Sequence, residues 1–112
     1  MNEIKEITDA LHRFRDERNW AQFHNPKDLA LALSIEAAEL NELFLWKNRE
    51  ELEEVDSGRV REELADILAF AFLLAGRYQF DIRKIMLEKI RKNAVKYPAE
   101  KARDNAKKYD EL

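Results

Sequence analysis

Two pairs of carboxylates, each spaced i and i+3, are the residues of this sequence best suited to chemistry. Glu36 and Glu39 stand in SIEAAELNELFLWK, and Glu63 and Asp66 stand in VREELADILAF. At about 100° per residue, Glu36 and Glu63 fall in the middle of apolar helical stripes, with their partners at the edges. Carboxylates buried close together cost free energy unless protonation or a bound cation relieves them. The pattern therefore predicts a metal site between two facing helices.

The competing interpretation is an ordinary solvated surface, because acid pairs at this spacing are common on exposed helix faces. The acids of the run 50–54 are of that kind, and Glu42 points away from the apolar stripe of its helix. Two pairs on the core stripes of consecutive helices favour the metal site.

The donor set indicates which metal to expect. All-oxygen ligands without His or Cys suit Mg²⁺ or Mn²⁺ better than Zn²⁺. Di-iron bundles use a Glu-x-x-His motif on two helices, whereas His12 and His24, the two histidines here, do not follow a glutamate by three residues. A carboxylate-bridged iron protein is therefore disfavoured. A magnesium ion held by few carboxylates usually completes its shell with water and substrate phosphates.

The segment IRKIMLEKIRKNAVKY carries groups that a phosphate would need. Lys89 and Asn93 continue its inner stripe where apolar residues are expected, and Lys92 and Lys96 flank them. A face of lysines extending into water is the alternative for the flanking pair. The sequence contains no glycine-rich phosphate loop, which excludes a P-loop enzyme.

Apolar spacing and capping residues predict four helices that position these groups. They cover about 2–18, then 26 to 46 or 47, then 57–78, and lastly 82–97. Short connectors predict an all-α antiparallel four-helix bundle in a single domain of residues 1–112, with 99–112 as a polar C-terminal arm. The third helix is apolar nearly all round from Ile67 to Ala75, which indicates burial against a second subunit.

Composition and charge limit the classes of function. The chain has 112 residues, no cysteine and a net charge of −3, which argues against a general nucleic-acid binder. Acids outnumber bases up to Ile82, and bases outnumber acids afterwards. The start lacks the layout of a signal peptide, and the longest apolar run is too short for a membrane span. We therefore expect a cytoplasmic protein without a membrane or nucleic-acid polymer as partner.

These motifs resemble those of the MazG-type all-α nucleoside triphosphate pyrophosphohydrolases, particularly the dCTP-pyrophosphatase-like branch. The family motif EExxE, a spacer and ExxD corresponds to IEAAE (35–39) and ELAD (63–66), with Ile35 replacing the first acid. The stretches RNWAQFHNPKDLALAL, ELFLWK and KNAVKYP resemble the same branch. The similarity extends from about Ile4 to Pro98.

The resemblance implies hydrolysis of a (deoxy)nucleoside triphosphate to the monophosphate and pyrophosphate, in nucleotide-pool housecleaning with a lean toward dCTP. It implies that Glu36, Glu39, Glu63 and Asp66 bind Mg²⁺ and that a metal-activated water attacks the α-phosphorus. It further implies substrate contacts from Trp20, Phe23, His24, Trp46, Phe70, Lys89, Asn93, Lys96 and Tyr97. Enzymes of this type assemble as dimers or dimers of dimers with sites shared between subunits. The alternative is a non-catalytic helical dimerisation or regulatory module.

Overall fold

The computed structural model describes residues 2–112, and these residues form helices and turns without a β-strand. The all-α prediction is therefore confirmed for this part of the chain. The longer helices are α1 (Glu3–Glu17), α2 (Pro26–Glu42), α3 (Ser57–Arg77) and α4 (Ile82–Lys96). A single-turn helix, α5 (Ala99–Ala102), follows α4, and 3₁₀ turns lie at Ala21–Phe23, Glu51–Glu54 and Tyr109–Glu111. None of the described helices combines the length and apolar character needed to cross a bilayer.

Each long helix begins at a side chain that accepts a hydrogen bond from a free backbone N–H of the first turn. For α2, Asn25 Oδ1 accepts from the Asp28 N–H at 2.9 Å, and Pro26 occupies the first helical position. Asn and Asp are suited to this role because their short side chains reach the first-turn donors from extended backbone. The four capping residues are Asn2, Asn25, Asp56 and Asp81.

The predicted C-terminus of α2 was wrong. The sequence predicted a helix to Trp46 or Lys47, but α2 ends at Glu42. Tight turns follow, in which the backbone N–H groups of Leu43, Phe44, Leu45 and Lys47 each donate to the carbonyl oxygen three residues back. Trp46 then adopts a left-handed conformation with φ of 63°. No glycine or proline marks this reversal, so the local sequence carries no signal for it.

The chain divides into two compact units, one ending at Gln79 and the other running from Phe80 to Leu112. In the first unit α2 packs against α3, and α1 also packs against α3. The side chains buried in the core are Leu29, Leu43, Leu73 and Ala75, of which Leu29 is only 2% exposed. The second unit contains α4, α5 and the last 3₁₀ turn.

Close packing of α1 on α3 depends on a glycine within α3. A Cβ atom added at Gly76 would lie 2.9 Å from Nε2 of His12, well inside ordinary contact distance. Glycine inside a helix costs about 1 kcal/mol relative to alanine. Glycine therefore lowers the helix propensity at this position but leaves the space that the His12 imidazole occupies.

We expect Gly76→Ala to stabilise the protein by about 1 kcal/mol in a His12→Ala background and by clearly less in the wild type. The reason is that the added methyl group displaces the imidazole only when His12 is present. Urea unfolding of the four proteins measures this coupling. Ala65→Gly, at an exposed position of α3, should have the same effect in both backgrounds. Equal effects of Gly76→Ala in both backgrounds would contradict the packing described.

Candidate active site

The four acids singled out in the sequence lie on the two helices that pack together in the first unit. Glu36, Glu39 and Glu63 each offer a carboxylate oxygen within 4.8 Å of the others, a spacing that could hold a metal ion. Glu36 and Glu63 are half-buried, whereas Glu39 and Asp66 are exposed. Glu36 and Glu39 of α2 and Glu63 of α3 thus come together in one group, whereas Asp66, the fourth acid predicted for the site, is not among its members.

Two oxygens of this cluster lack partners. Oε2 of Glu36 and Oε2 of Glu63 are inaccessible to solvent and accept no hydrogen bond from the protein. Buried polar atoms are usually hydrogen-bonded, so each orphaned oxygen calls for an explanation. A divalent cation binds carboxylate oxygens of this kind, and the donor set therefore fits a hard metal ion.

The electrostatics of the cluster agree with this interpretation. Burial, reinforced by the adjacent Glu39 carboxylate and by Asp66, raises the pKa of Glu36 to about 7. Burial and the Glu39 carboxylate also raise the pKa of Glu63. Without a cation, the protein stores repulsion between these groups, and a proton or a metal ion relieves it.

An aromatic cavity of about 290 Å³ adjoins the acids. Glu36 and Asp66 contribute to its wall, together with three of the residues predicted to contact substrate: Trp20, His24 and Phe70. The remaining lining residues are Leu11, Phe14, Arg15, Ala69 and Leu73. A carboxylate cluster and an apolar pocket therefore share a border, an arrangement suited to a ligand with one charged and one planar part.

The end of α1 places the aromatic residues of this cavity. Asn19 adopts a left-handed conformation with φ of 54°, the Trp20 N–H donates to the Arg15 carbonyl, and the Asn19 N–H donates to the Asp16 carbonyl. These bonds form a Schellman motif, which commonly brings the residue after the turn against the preceding helical turn. Trp20 accordingly meets Phe14 edge to face at 5.8 Å between ring centroids.

His24 lies between this cavity and a second one of about 380 Å³. Its Nδ1 atom is buried without a hydrogen-bond partner. Burial and the positive charge of Arg15 lower the pKa of His24, so the imidazole is neutral at pH 7. A neutral imidazole can donate from one nitrogen and accept at the other, and the hydrogen-bonding capacity of His24 Nδ1 is therefore unused within the protein.

The structure does not gather all the predicted substrate residues into this cavity. Phe23 is 60% exposed and Trp46 is 90% exposed, and neither is among the residues that line it. Lys89, Asn93, Lys96 and Tyr97 lie in the second unit, on α4 and at its C-cap.

Sequence reasoning missed Phe14 and Arg15 as residues lining the cavity. The sequence pattern had assigned neither residue a role in a site. Arg15 is held by its Nε, which donates to Asp16 Oδ1 at 2.8 Å. The signal that could have identified both residues is their distance from the helix end, because a Schellman turn folds Trp20 back over them.

This chain is similar to known proteins over most of its length. Human dCTP pyrophosphatase 1 is 40% identical over 114 residues, an alignment that covers 97% of this chain and 67% of the human protein. The rat protein of the same name is 38% identical over the same shares. A pyrophosphatase from Archaeoglobus fulgidus, known from a crystal structure, superposes with a TM-score of 0.82 at 38% identity, covering 88% of this chain and 94% of its own.

A family model describes the same relationship. The model of the MazG-like family matches residues 31–112, which include both acid pairs. The resemblance inferred from the motifs at 35–39 and 63–66 is thereby confirmed. This chain belongs to the MazG-like family.

Proposed function

We propose that this protein hydrolyses (deoxy)nucleoside triphosphates to the monophosphate and pyrophosphate. The observation that carries this proposal is the shared border between the carboxylate cluster and the aromatic cavity. A nucleotide has the matching composition, a polyanion that needs a cation and a planar base that needs an apolar pocket. The names of the relatives, dCTP pyrophosphatase and pyrophosphatase, support the same reaction.

Glu36, Glu39 and Glu63 would hold the metal ion, with Asp66 as the fourth acid at the cavity wall. Mg²⁺ is the expected ion and Mn²⁺ a substitute, because the donors are all carboxylate oxygens. A bound ion supplies neutralisation of phosphate charge and a lowered pKa for a water, which is the nucleophile needed at the α-phosphorus. Because Glu36 and Glu63 are half-buried, their carboxylates would be held in fixed orientations, and fewer water molecules would compete with them for the ion.

The cavity would bind the base and the sugar. The face of Trp20 offers a stacking surface, and stacking accepts any base. His24 would then provide a hydrogen bond that distinguishes bases, and Phe70 would line the sugar end. The volume of about 290 Å³ is enough for a base, and the lean toward dCTP is supported by the name of the curated relatives, dCTP pyrophosphatase 1. Phe23 and Trp46 would reach the substrate from outside the cavity.

The phosphates would meet positive and amide groups of α4. Lys89 and Asn93 share one side of this helix by their i, i+4 spacing, and Lys96 with the C-cap Tyr97 follows one turn later. Lysine ammonium groups neutralise phosphate oxygens, and an asparagine amide donates to them. We therefore propose that α4 contributes contacts to the phosphates or the sugar of the substrate. In the cell we expect this reaction to serve housecleaning of cytoplasmic nucleotide pools.

We further propose that the chain forms a four-helix bundle that assembles with a second copy, as a dimer or a dimer of dimers. Leu31 and Ile35 on α2, and Leu64 and Leu68 on α3, are each about half exposed and spaced i, i+4. Two neighbouring helices thus present apolar side chains outside their common core. The same sequence on a second subunit offers an equivalent apolar face, which makes a copy of this chain the natural occupant.

The rival function is a non-catalytic dimerisation or regulatory module. A module of that kind has no need for two half-buried acids beside two exposed ones, because their repulsion destabilises the fold. All four acids of the motif are present here, which favours the enzyme.

We expect Glu36→Gln and Asp66→Asn each to lower kcat/KM for pyrophosphate release by at least about 100-fold. Mutation of a residue that only supports a metal ligand already lowers metal affinity or activity by about 10–100-fold, and loss of a ligand should lower activity further. The assay uses a panel of canonical NTPs and dNTPs with and without Mg²⁺. Glu42→Gln, an exposed change on the same helix, is the matched control and should remain fully active. Full activity of both site variants would refute the metal assignment, and equal rates for all bases would refute the preference for dCTP.

The raised pKa values predict a pH-dependent stability in the metal-free protein. Between about pH 4.5 and 7 the folded protein holds a proton on Glu36 that the unfolded chain has released, so the free energy of unfolding should fall as pH rises through this range. Mg²⁺ should oppose this loss, because it binds the deprotonated acids. Urea unfolding of EDTA-treated protein at several pH values measures the effect. Glu36→Gln should flatten the slope relative to Glu42→Gln, and an unchanged slope would contradict the coupling.

The apolar face of α2 and α3 predicts the effect of a charge on assembly. We expect Leu68→Arg to shift the protein toward the monomer, because a guanidinium would be buried against apolar side chains. Light scattering after size-exclusion chromatography measures the mass. Leu68→Met, which conserves volume, should leave the oligomer intact. A wild-type protein that elutes as a monomer would refute the proposed interface.

A further inference from the structure

The C-terminal arm (99–112) folds back on the end of α4 through one aromatic residue. The ring of Tyr109 meets the ring of Tyr97 edge to face, with centroids 6.1 Å apart and planes at 81°. The Nζ atom of Lys96 lies 4.9 Å from the centroid of the same Tyr109 ring. A single side chain of the arm thus contacts two consecutive residues that the proposed function assigns to the substrate.

Hydrogen bonds within the arm set its path. The Ala102 N–H donates to the Pro98 carbonyl at 2.8 Å, and Asp104 then takes a left-handed conformation with φ of 65°. Asn105 spans the turn, with its Nδ2 donating to the Lys101 carbonyl at 3.0 Å and its Oδ1 accepting from the Lys107 N–H at 3.0 Å. The 3₁₀ turn Tyr109–Glu111 follows. The sequence predicted this segment only as a polar arm, whereas the structure gives it a defined return.

The arm also belongs to the domain by comparison. The match to the MazG-like family continues to residue 112, and the alignment with human dCTP pyrophosphatase 1 covers 97% of the chain. The residues after α4 are therefore a part of the shared domain, which is consistent with a role in its common activity.

We propose that Tyr109 is a positioning residue, which holds the Lys96 ammonium and the Tyr97 ring in place to receive the phosphates of the nucleotide. This inference rests on the proposed function of α4. A lysine on a helix surface samples many rotamers, and the conformational entropy lost when it is ordered weakens ligand binding. The face of an aromatic ring attracts an ammonium group and restricts it beforehand. The edge-to-face contact between the Tyr97 and Tyr109 rings restricts the second group in the same way.

The inference predicts a change in KM that depends on the ring. Tyr109→Leu removes both contacts and should raise KM for dCTP about two- to fivefold with kcat nearly unchanged, the size expected for an exposed cation–π contact. Tyr109→Phe keeps the ring and should restore KM to near the wild-type value. Lys107→Met, which removes a positive charge from the same arm, is the control and should leave KM unchanged.

Coupling to Lys96 tests whether Tyr109 acts through it. Lys96→Met should raise KM, and Tyr109→Leu should then add little in the double variant. Additive effects, or a Tyr109→Leu protein with wild-type KM, would overturn the inference. A merely structural role would lower the melting temperature and the active fraction of Tyr109→Leu while leaving KM unchanged, and this outcome also overturns it.

A spectroscopic measurement separates this inference from the proposed function. Ring current from Tyr109 should shift the Lys96 side-chain proton resonances upfield in the wild type, and Tyr109→Leu should abolish that shift. Absence of the shift would overturn the contact whatever the activity. Wild-type protein that hydrolyses no nucleotide while showing the shift would refute the proposed function and with it the role of the contact, but not the contact itself.

Discussion

Mutual repulsion among carboxylates between α2 and α3 is the constraint on which the rest of this structure depends. The helices must pack closely enough to form a core around Leu29 and Leu73, yet the same packing half-buries Glu36 and Glu63. The ion pairs described for residues 2–112 are Lys5–Asp9 and Arg15–Asp16, and both lie on α1. Neither pair neutralises the negative charge of the acid cluster. The free energy stored in this repulsion is the same quantity that favours a proton or a cation. A site of this kind therefore lowers the free energy of unfolding, and a ligand that binds the folded state raises it again.

The aromatic side of the site follows from how a helix ends. The left-handed Asn19 turns the chain back, so that Trp20 lies against Phe14 and beside the acids of the next two helices. The guanidinium of Arg18 lies 3.7 Å from the Phe14 ring centroid, and its Nη1 donates a hydrogen bond to the Phe14 carbonyl oxygen. The turn at Asn19, the Phe14–Trp20 ring pair and the Arg18 guanidinium thus form one local unit. This unit positions the Trp20 ring without a long loop.

The sequence predicted the helix starts, because these depend on local spacing, and the same spacing identified Glu36, Glu39 and Glu63, which lie close together in the structure. Asn25 with Pro26, Asp56 and Asp81 are short-range signals, and the i, i+3 acids report their own helix face. What could not be predicted depends on tertiary structure or on conformations that glycine usually marks. The early end of α2 and the inward position of Arg15 are examples, since neither has a distinguishing neighbour in the sequence. The return of Tyr109 onto Tyr97 joins positions twelve apart through an irregular segment, for which no periodicity exists.

The left-handed turn at Trp46 has a consequence for how this domain can evolve or be engineered. A non-glycine residue in this conformation costs roughly 1 kcal/mol or more, and an indole ring that is 90% exposed recovers little of that cost by packing. Glycine would relax the backbone, but it would also remove the ring. At this position a relaxed backbone and an exposed aromatic side chain are therefore alternatives. Selection for heat resistance alone should therefore favour glycine at position 46, at the loss of the indole ring.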